Sequence, residues 1–334
     1  MTRTVARTVL VLLLLIGAGA CTDPEPAGVD RLVIAAGPPD SVYQVLGDAL
    51  GEAARRAWST DVRVVGTDGS VDNLQQVAQG EAQVGFATVD TAQLAVLGNS
   101  PFRQAQPIEA LAWLYDEYLQ AVVLPDSGIE DLADLAGRRV SIGEPRSGTD
   151  VAADRVLRAA SVEPAERLQL GAGTAAQALV RREEVDAIFV AGGLPTPAVA
   201  SVVAGLSPDN PPRLLPLSHV VPELQRQFGE SYQARSIPPG TYPGVDATVE
   251  TVGVANVLVV RQDLPEEVAR RLTALLFEAK DQLVAAHPEA RRLDHRSALA
   301  TFPIELHPGA ERYYQAAKPL AGAAAAPPDH RASR

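Results

Sequence analysis

Short loops rich in Gly, Ser, Thr and Asp recur along the sequence, each between a short apolar run and a helical pattern. These residue types expose or supply hydrogen-bonding groups, and the first turn of a helix adds unpaired backbone N–H groups and a partial positive charge. This chemistry suits a carboxylate. Each Ser, Thr or Asp alone could simply cap its own helix, but the set together favours a binding site. The loops are residues 35–41, 67–70, 87–90, 143–149 and 191–196.

The candidate ligand-binding residues lie in these loops or directly after them. Arg146 is the cation among them, and a guanidinium can bind a carboxylate through two parallel hydrogen bonds. Asp150 begins the following helix, where it could accept a hydrogen bond from a ligand ammonium group or cap the helix, and we favour capping. The other loop candidates are Gly37, Ser41, Ser70, Thr88, Asp90, Ser147, Gly148, Thr149, Gly192, Gly193 and Pro195.

The sequence offers no arrangement of residues for catalysis or for a metal. It lacks a Gly-x-Ser-x-Gly nucleophile motif, and its five histidines are scattered without metal-ligand spacing. Residues 171–176 fit a loose Gly-x-Gly-x-x-Ala dinucleotide pattern, but no acidic residue follows in a matching strand, so we interpret the match as a tight turn before a helix. We therefore expect a binding protein without enzymatic activity, metal or other cofactor.

Strand and helix patterns alternate around these loops, in two successive series. Apolar runs typical of buried strands occur at residues 32–34, 62–65, 84–87, 119–124, 140–142, 185–190 and 252–260. Helical spacing follows most of them, and the longest helical segment spans residues 264–286. Such alternation predicts an α/β fold with parallel sheets, whose ligands bind beyond the carboxyl ends of the strands. Two series predict two lobes hinged around a cleft.

Length and charge narrow the class of protein further. The 334 residues correspond to about two globular units. The formal net charge of −12 leaves no excess of Lys and Arg to neutralise phosphates, which argues against a nucleic-acid partner. A single cysteine excludes an internal disulfide framework.

The N-terminus has the order of an export signal. Residues 1–20 combine two arginines, a short apolar run and small residues, which is typical of a signal peptide. Cys21 follows directly, as in a bacterial lipobox, where the cysteine is lipidated; the alternative is an ordinary signal peptide with a chance cysteine. We expect residues 21–30 to form a lipid-anchored tether on the outer face of the cytoplasmic membrane. The Ala- and Pro-rich residues 321–334 are predicted to be disordered.

Five separated segments resemble, in order, five sequence blocks of one family. The segments TDGSVDNL, GEPRSGTD, VAGGLPTP, PGTYPG and LHPGAERYY occupy residues 67–74, 143–150, 190–197, 239–244 and 306–314. They resemble the TAXI group of solute receptors, which serve TRAP (tripartite ATP-independent periplasmic) transporters. The resemblance extends from about Arg31 to Tyr314. In this chain, Arg146 stands where the family usually has glycine.

The resemblance implies a type II periplasmic-binding-protein fold, with two mixed, mainly parallel sheets and flanking helices around a hinged cleft. We expect residues 31–120 and 251–320 to form lobe 1 and residues 121–250 to form lobe 2. Two strands, near residues 118–122 and 249–254, should cross between the lobes. The resemblance also assigns Tyr43, Asn73 and Tyr242 to the ligand site, together with the loop candidates at positions 70, 147–150 and 192–193.

The function implied by the resemblance is capture of a small organic acid or amino acid, glutamate-like or a dicarboxylate, for delivery to a TRAP-type membrane permease. We expect the receptor to act as a monomer. One alternative is a ligand-sensing lipoprotein that signals to a membrane sensor kinase, and another is a lipid-anchored enzyme on the same fold. A neighbouring TRAP permease gene would favour transport, whereas a sensor kinase gene alone would favour signalling.

We predict that Cys21 carries lipid. Cys21→Ser should leave an uncleaved or freely released form, because the anchor requires the cysteine thiol. Membrane fractionation and mass spectrometry of the mature N-terminus test this expectation, and an unmodified N-terminus in the wild type would contradict it.

Overall fold

A computed structural model describes residues 30–39 and 41–317. The predicted signal peptide, Cys21, most of the tether and the predicted tail at 321–334 lie outside the described residues. Among the helices described, none has the length and apolar character needed to cross a membrane.

Ten strands form one sheet within the described residues. Their bounds are β1 Arg31–Ala35, β2 Asp61–Val65, β3 Val84–Thr88, β4 Ile108–Val123, β5 Arg139–Ser141, β6 Glu166–Leu168, β7 Ala187–Gly192, β8 Arg213–Leu215, β9 Tyr232–Ile237 and β10 Val249–Arg261. The order is β2-β1-β3-β10-β4-β7-β5-β6, with β8 pairing to β4 and β9 pairing to β10. Strands β1–β3 are mutually parallel, as are β5–β7, and the long strands β4 and β10 run antiparallel between the two groups.

Helices follow the strands in the predicted alternation. Their bounds are α1 Val42–Ala57, α2 Ser70–Gln79, α3 Val89–Leu97, α4 Gly148–Ala159, α5 Ala172–Arg181, α6 Pro197–Ala204, α7 Val221–Phe228, α8 Glu266–Glu278, α9 Lys280–Ala286 and α10 Pro308–Ala317. Ser41 and Ser147 cap α1 and α4 by accepting hydrogen bonds from the backbone N–H groups of Gln44 and Asp150. The apolar face of each helix then packs against the sheet.

The buried apolar residues separate into two halves of the molecule. One set of cores contains residues up to Tyr115 and from Val257 onward, and we call this part the first half. The other set lies between Tyr118 and Val254, and we call this part the second half. This confirms the predicted two-lobed α/β fold, in which the two expected sheets are continuous through β4 and β10. The exact lobe boundaries at residues 120 and 250 remain predictions.

Strand β4 differs most from its prediction. It begins at Ile108 rather than near residue 118. The prediction missed its first half because the carboxylates Asp116 and Glu117 interrupt the apolar sequence. The structure accommodates both: Arg235 on β9 donates from Nε to Asp116 Oδ2 at 2.6 Å, and Glu117 faces a cavity. The segment 264–286 is likewise two helices, α8 and α9, which meet at Ala279.

A buried ion pair also joins the two halves. The Tyr232 hydroxyl on β9 donates to Asp90 Oδ2 on α3 at 2.5 Å and accepts from Arg155 Nη1 on α4 at 2.9 Å. The Arg155 guanidinium lies 3.5 Å from Asp90 and 4.5 Å from the Phe228 ring centroid. All three network residues are buried, so each charge depends on its partner in place of water.

We predict that Arg155→Leu lowers the free energy of unfolding by roughly 3–5 kcal/mol, because it leaves the buried Asp90 carboxylate without a counter-charge. Arg158→Leu is the matched control: Arg158 lies on the same helix, is largely exposed and pairs with Asp154. This variant should stay within about 1 kcal/mol of the wild type. Urea unfolding measures both variants, and equal losses would refute the assigned role of the ion pair.

Candidate functional site

A cavity of about 350 Å³ lies between the two halves of the molecule. It is bordered by the carboxyl ends of parallel strands, as predicted for open α/β sheets. Its volume falls within the range of sites for small molecules.

Helix N-termini surround much of this cavity. Such ends present unpaired backbone N–H groups and partial positive charge, and therefore favour an anionic group. The first residues of these helices that line the cavity are Val42 of α1, Ser70 of α2, Gly148 of α4, Ala172 of α5 and Pro197 of α6.

Several predicted site residues line the cavity together. Those residues are Ser41, Tyr43, Ser70, Ser147, Gly148, Thr149 and Gly192. Ser70 Oγ accepts a hydrogen bond from the Thr88 backbone N–H at 3.1 Å and lies 3.4 Å from the Tyr43 hydroxyl. A Cβ atom at Gly148 would lie 3.1 Å from both Ser70 Oγ and Thr88 Cγ2. The close contact between the two halves at this point therefore depends on the absence of a side chain at position 148.

Asn73 and Tyr242 support the cavity wall without lining it. Asn73 Nδ2 donates to the carbonyl oxygens of Ala36 and Phe86 at 2.6 and 2.8 Å, so the amide ties α2 to the ends of β1 and β3. The Tyr242 hydroxyl donates to Gln120 Oε1 at 2.7 Å and accepts from the Thr196 N–H, which begins α6. Both side chains fix the positions of helix ends that do face the cavity.

Further predicted residues lie outside the lining. These residues are Gly37, Thr88, Asp90, Gly193 and Pro195. Asp90 belongs to the ion pair with Arg155, which replaces the ligand contact expected for it. The Thr88 hydroxyl, at the end of β3, donates to Thr91 Oγ1 on α3, so its hydrogen is used locally.

Arg146 requires a correction, because its side chain does not line the cavity. Nη2 donates to Asp72 Oδ1 at 2.9 Å and to Gln75 Oε1 at 2.5 Å, both on α2 of the first half. Its carbonyl oxygen accepts from the Val71 N–H at 3.2 Å. Arg146 therefore links the loop before α4 to α2 across the two halves.

The backbone of Arg146 explains why glycine suits this position. Its φ is +69°, a left-handed conformation that costs a residue with a Cβ about 1–2 kcal/mol. Glycine adopts it without that cost. In this chain, the contacts of the guanidinium offset the strain.

Asp150 lies in the first turn of α4, where a negative charge stabilises the helix, but it is not the N-cap residue. Its carboxylate oxygens accept from Gln169 Nε2 at 3.2 Å, and it lies outside the cavity lining. The α4 cap is Ser147 rather than Asp150. Burial raises the pKa of the Asp150 carboxyl, while the hydrogen bond from Gln169 lowers it.

Residues of β4 line a part of the cavity that sequence reasoning missed, and a residue of β10 supports it. Glu117 and Tyr115 on β4 line it, and their spacing of two places them on the same face of the sheet. Asn256 on β10 pairs with Tyr115 in the strand register and accepts a hydrogen bond from the Tyr43 hydroxyl. The sequence signal that could have revealed these residues was the Asp116-Glu117 pair within an otherwise apolar run.

The cavity is acidic. Its lining includes Asp68, Glu117 and Glu144, and within the described chain it includes no Lys, Arg or His. Burial raises the pKa of Glu117 to about 8; repulsion by Asp90 contributes to the rise, and the Asn256 amide opposes it. Burial, followed by repulsion from Asp68, also raises the pKa of Glu144.

Comparison with solved structures shows the fold. XAC2383 from Xanthomonas citri, solved bound to ATP, is 14% identical with a TM-score of 0.50, covering 86% of this chain and 95% of that one. A protein of Bordetella bronchiseptica RB50 is 19% identical with a TM-score of 0.51, covering 86% and 89%. The periplasmic aliphatic sulphonate-binding protein SsuA from Escherichia coli is 13% identical with a TM-score of 0.49, covering 87% and 84%.

XAC2383 and the Bordetella protein therefore share the overall fold of this chain. The model of the NMT1-like family matches residues 34–317, which is nearly all of the described chain. The protein belongs to the NMT1-like family.

Proposed function

We propose that the protein is an extracytoplasmic solute receptor that captures a small organic acid or amino acid and delivers it to a membrane permease of the TRAP type. The observation that carries the proposal is the cavity between the halves. Helix N-termini surround this cavity, and Tyr115 and Glu117 of β4 form the part of its wall that we call the floor. No cavity side chain described here supplies the cation that would be the simplest partner for an organic acid.

The helix N-termini would bind the carboxylate end of the ligand. Gly148 and Ser70 begin α4 and α2, which belong to opposite halves of the molecule. A carboxylate between them can accept backbone hydrogen bonds from both halves, so its binding stabilises their contact. This geometry requires no arginine, which is consistent with the position of Arg146 outside the lining.

The acidic lining favours an amino acid over a dicarboxylate. A dicarboxylate would bring a net charge of −2 to the acids Asp68, Glu117 and Glu144, with no compensating cation on the ligand or among the lining residues described. A ligand ammonium group would instead be attracted to them. Of the two ligand classes predicted from sequence, the amino acid therefore fits the charge of the cavity better.

The TRAP permease and the membrane anchor are supported by sequence resemblance. Five blocks between residues 67 and 314 resemble TAXI receptors, and Cys21 stands at a lipobox position. A receptor tethered by lipid would remain beside its permease while the two halves open and close around the solute.

We predict that the purified protein binds L-glutamate or another amino acid more tightly than succinate, and that it leaves the ligand chemically unchanged. Calorimetry with the standard amino acids and small dicarboxylates measures affinity, and mass spectrometry checks the recovered ligand. Failure to bind any compound of this panel, or recovery of an altered compound, would overturn the proposed function.

A pair of variants tests whether the ligand binds in this cavity. Gly148→Val should weaken binding at least tenfold, because its side chain would occupy the narrow space beside Ser70 and Thr88. Gly66→Ala is the control, since the nearest atom to its Cβ would be 3.5 Å away. Circular dichroism establishes that both variants fold.

We also predict that Arg146→Ala weakens the binding of amino acids and the binding of dicarboxylates by the same factor, which should be less than about tenfold. The reason is that Arg146 contacts α2 rather than the cavity. Arg146→Gly should unfold with a free energy about 1 kcal/mol higher than Arg146→Ala, because glycine tolerates the positive φ. A selective loss of dicarboxylate binding would restore the carboxylate-binding role first expected for Arg146.

A further inference from the structure

Two buried polar groups beside Glu117 have no hydrogen-bond partner. Within the described residues, neither the Tyr115 hydroxyl nor Asn256 Nδ2 has a partner, although both side chains are fully buried. Native proteins leave few buried polar groups unpaired, and such groups require an explanation. Asn256 Oδ1 accepts from Tyr43, which leaves Nδ2 as the free end of the amide.

Glu117 is the acid that these two groups flank. Tyr115 precedes it on the same face of β4, and Asn256 lies on the adjacent strand opposite Tyr115. The Asn256 amide stabilises the ionised form of the Glu117 carboxyl, although no hydrogen bond of normal geometry joins them. Burial has the larger effect and favours the neutral form.

The other charges around Glu117 do not neutralise it. From α3, Asp90 repels the ionised carboxylate, and Arg155 is already bound to Asp90. From α1, Tyr43 contributes a hydroxyl that is buried and neutral. The loops before α2 and α4 add Asp68 and Glu144 to the cavity lining.

We propose that Glu117 is the specificity residue for a protonated nitrogen of the ligand, and that it releases its own proton when the ligand binds. This inference rests on the proposed function, since it assumes that the cavity takes a small solute. The neutral carboxyl loses one proton to the solvent, and the resulting carboxylate pairs with the ligand ammonium group. The net charge of protein plus ligand, counting the released proton, is unchanged.

The proposal predicts a distinct dependence of affinity on pH. Because the pKa of Glu117 is about 8, the carboxyl of the ligand-free protein is largely protonated near pH 7. Each ligand bound at pH 7 or below should therefore release about one proton, and affinity should rise about tenfold per pH unit between pH 6 and 7. Above pH 8 the carboxyl is already ionised, so this rise should end.

The experiment is calorimetry of the full-length protein in phosphate and in Tris, whose ionisation enthalpies differ. The probes are L-glutamate and L-leucine, with L-2-hydroxyglutarate and L-2-hydroxyisocaproate as counterparts in which a hydroxyl replaces the amine. The wild type should release about one proton per amino acid near pH 7 and bind the amino acid at least tenfold more tightly than its counterpart. The pH series on the wild type requires no variant to fold.

Two variants test whether Glu117 is the group that releases the proton. Glu117→Gln should abolish the proton release and reduce the preference for the amine to about twofold or less. Glu109→Gln is the matched control, because Glu109 is a buried acid with a raised pKa on the same strand, outside the cavity lining. It should release the proton as the wild type does.

The outcomes separate the two proposals. Binding without proton release, or hydroxy acids bound as tightly as amino acids, would overturn the role of Glu117 and leave the solute receptor intact. Release that persists in Glu117→Gln would also overturn it. Failure of all four probes and of the wider panel to bind would overturn the proposed function together with this inference.

Discussion

The antiparallel pairing of β4 with β10 is the constraint on which the rest of the structure depends. The pairing runs from Leu119 opposite Val252 to Ile108 opposite Arg261, so both strands belong to both halves of the molecule. Strand β3 joins β10 on one side, and β7 joins β4 on the other. Each half is therefore completed by strands that the other half also uses, and neither can form its sheet without them.

This arrangement places one of the three acids that line the cavity in the middle of the sheet. Glu117 lies on a central strand with neighbours on both sides, whereas the helix N-termini approach from the flanks. Positive potential comes from backbone dipoles and negative charge comes from side chains. The division suits a solute with an acidic end and a basic end, even though the chain as a whole has a net charge of −12. Local hydrogen-bond donors must then outweigh long-range repulsion of the acidic end.

Sequence periodicity predicted the fold because strands and helices alternate with little interruption. It also predicted loop residues that line the cavity, since Ser41, Ser70 and Ser147 occur at helix starts, which the sequence marks clearly. Glu117 and Asn256 could not be found in this way. A polar residue inside a strand becomes a site residue only through its face and register, and these depend on pairing between segments distant in sequence.

Arg146 shows a different kind of error, in which a residue was assigned to the ligand site but its side chain lies elsewhere. Its position in a candidate loop was predicted, but a loop position does not determine the direction of a long side chain. The positive φ turns this residue toward α2, and no local pattern in GEPRSGTD reveals that conformation. Asp90 is similar, because its partner Arg155 is 65 positions away and belongs to the other half of the molecule.

The paired strands restrict how the binding preference of this scaffold can change in evolution. A one-residue insertion or deletion within β4 would reverse the faces of Tyr115 and Glu117 and disturb the pairing that holds both halves. The floor should therefore diverge mainly by substitution. The loops that carry Pro38 and Glu144 lie outside the ladder and can also change in length. Divergence of charge preference should thus proceed through single replacements at position 117, and divergence of ligand size through the lengths of these loops.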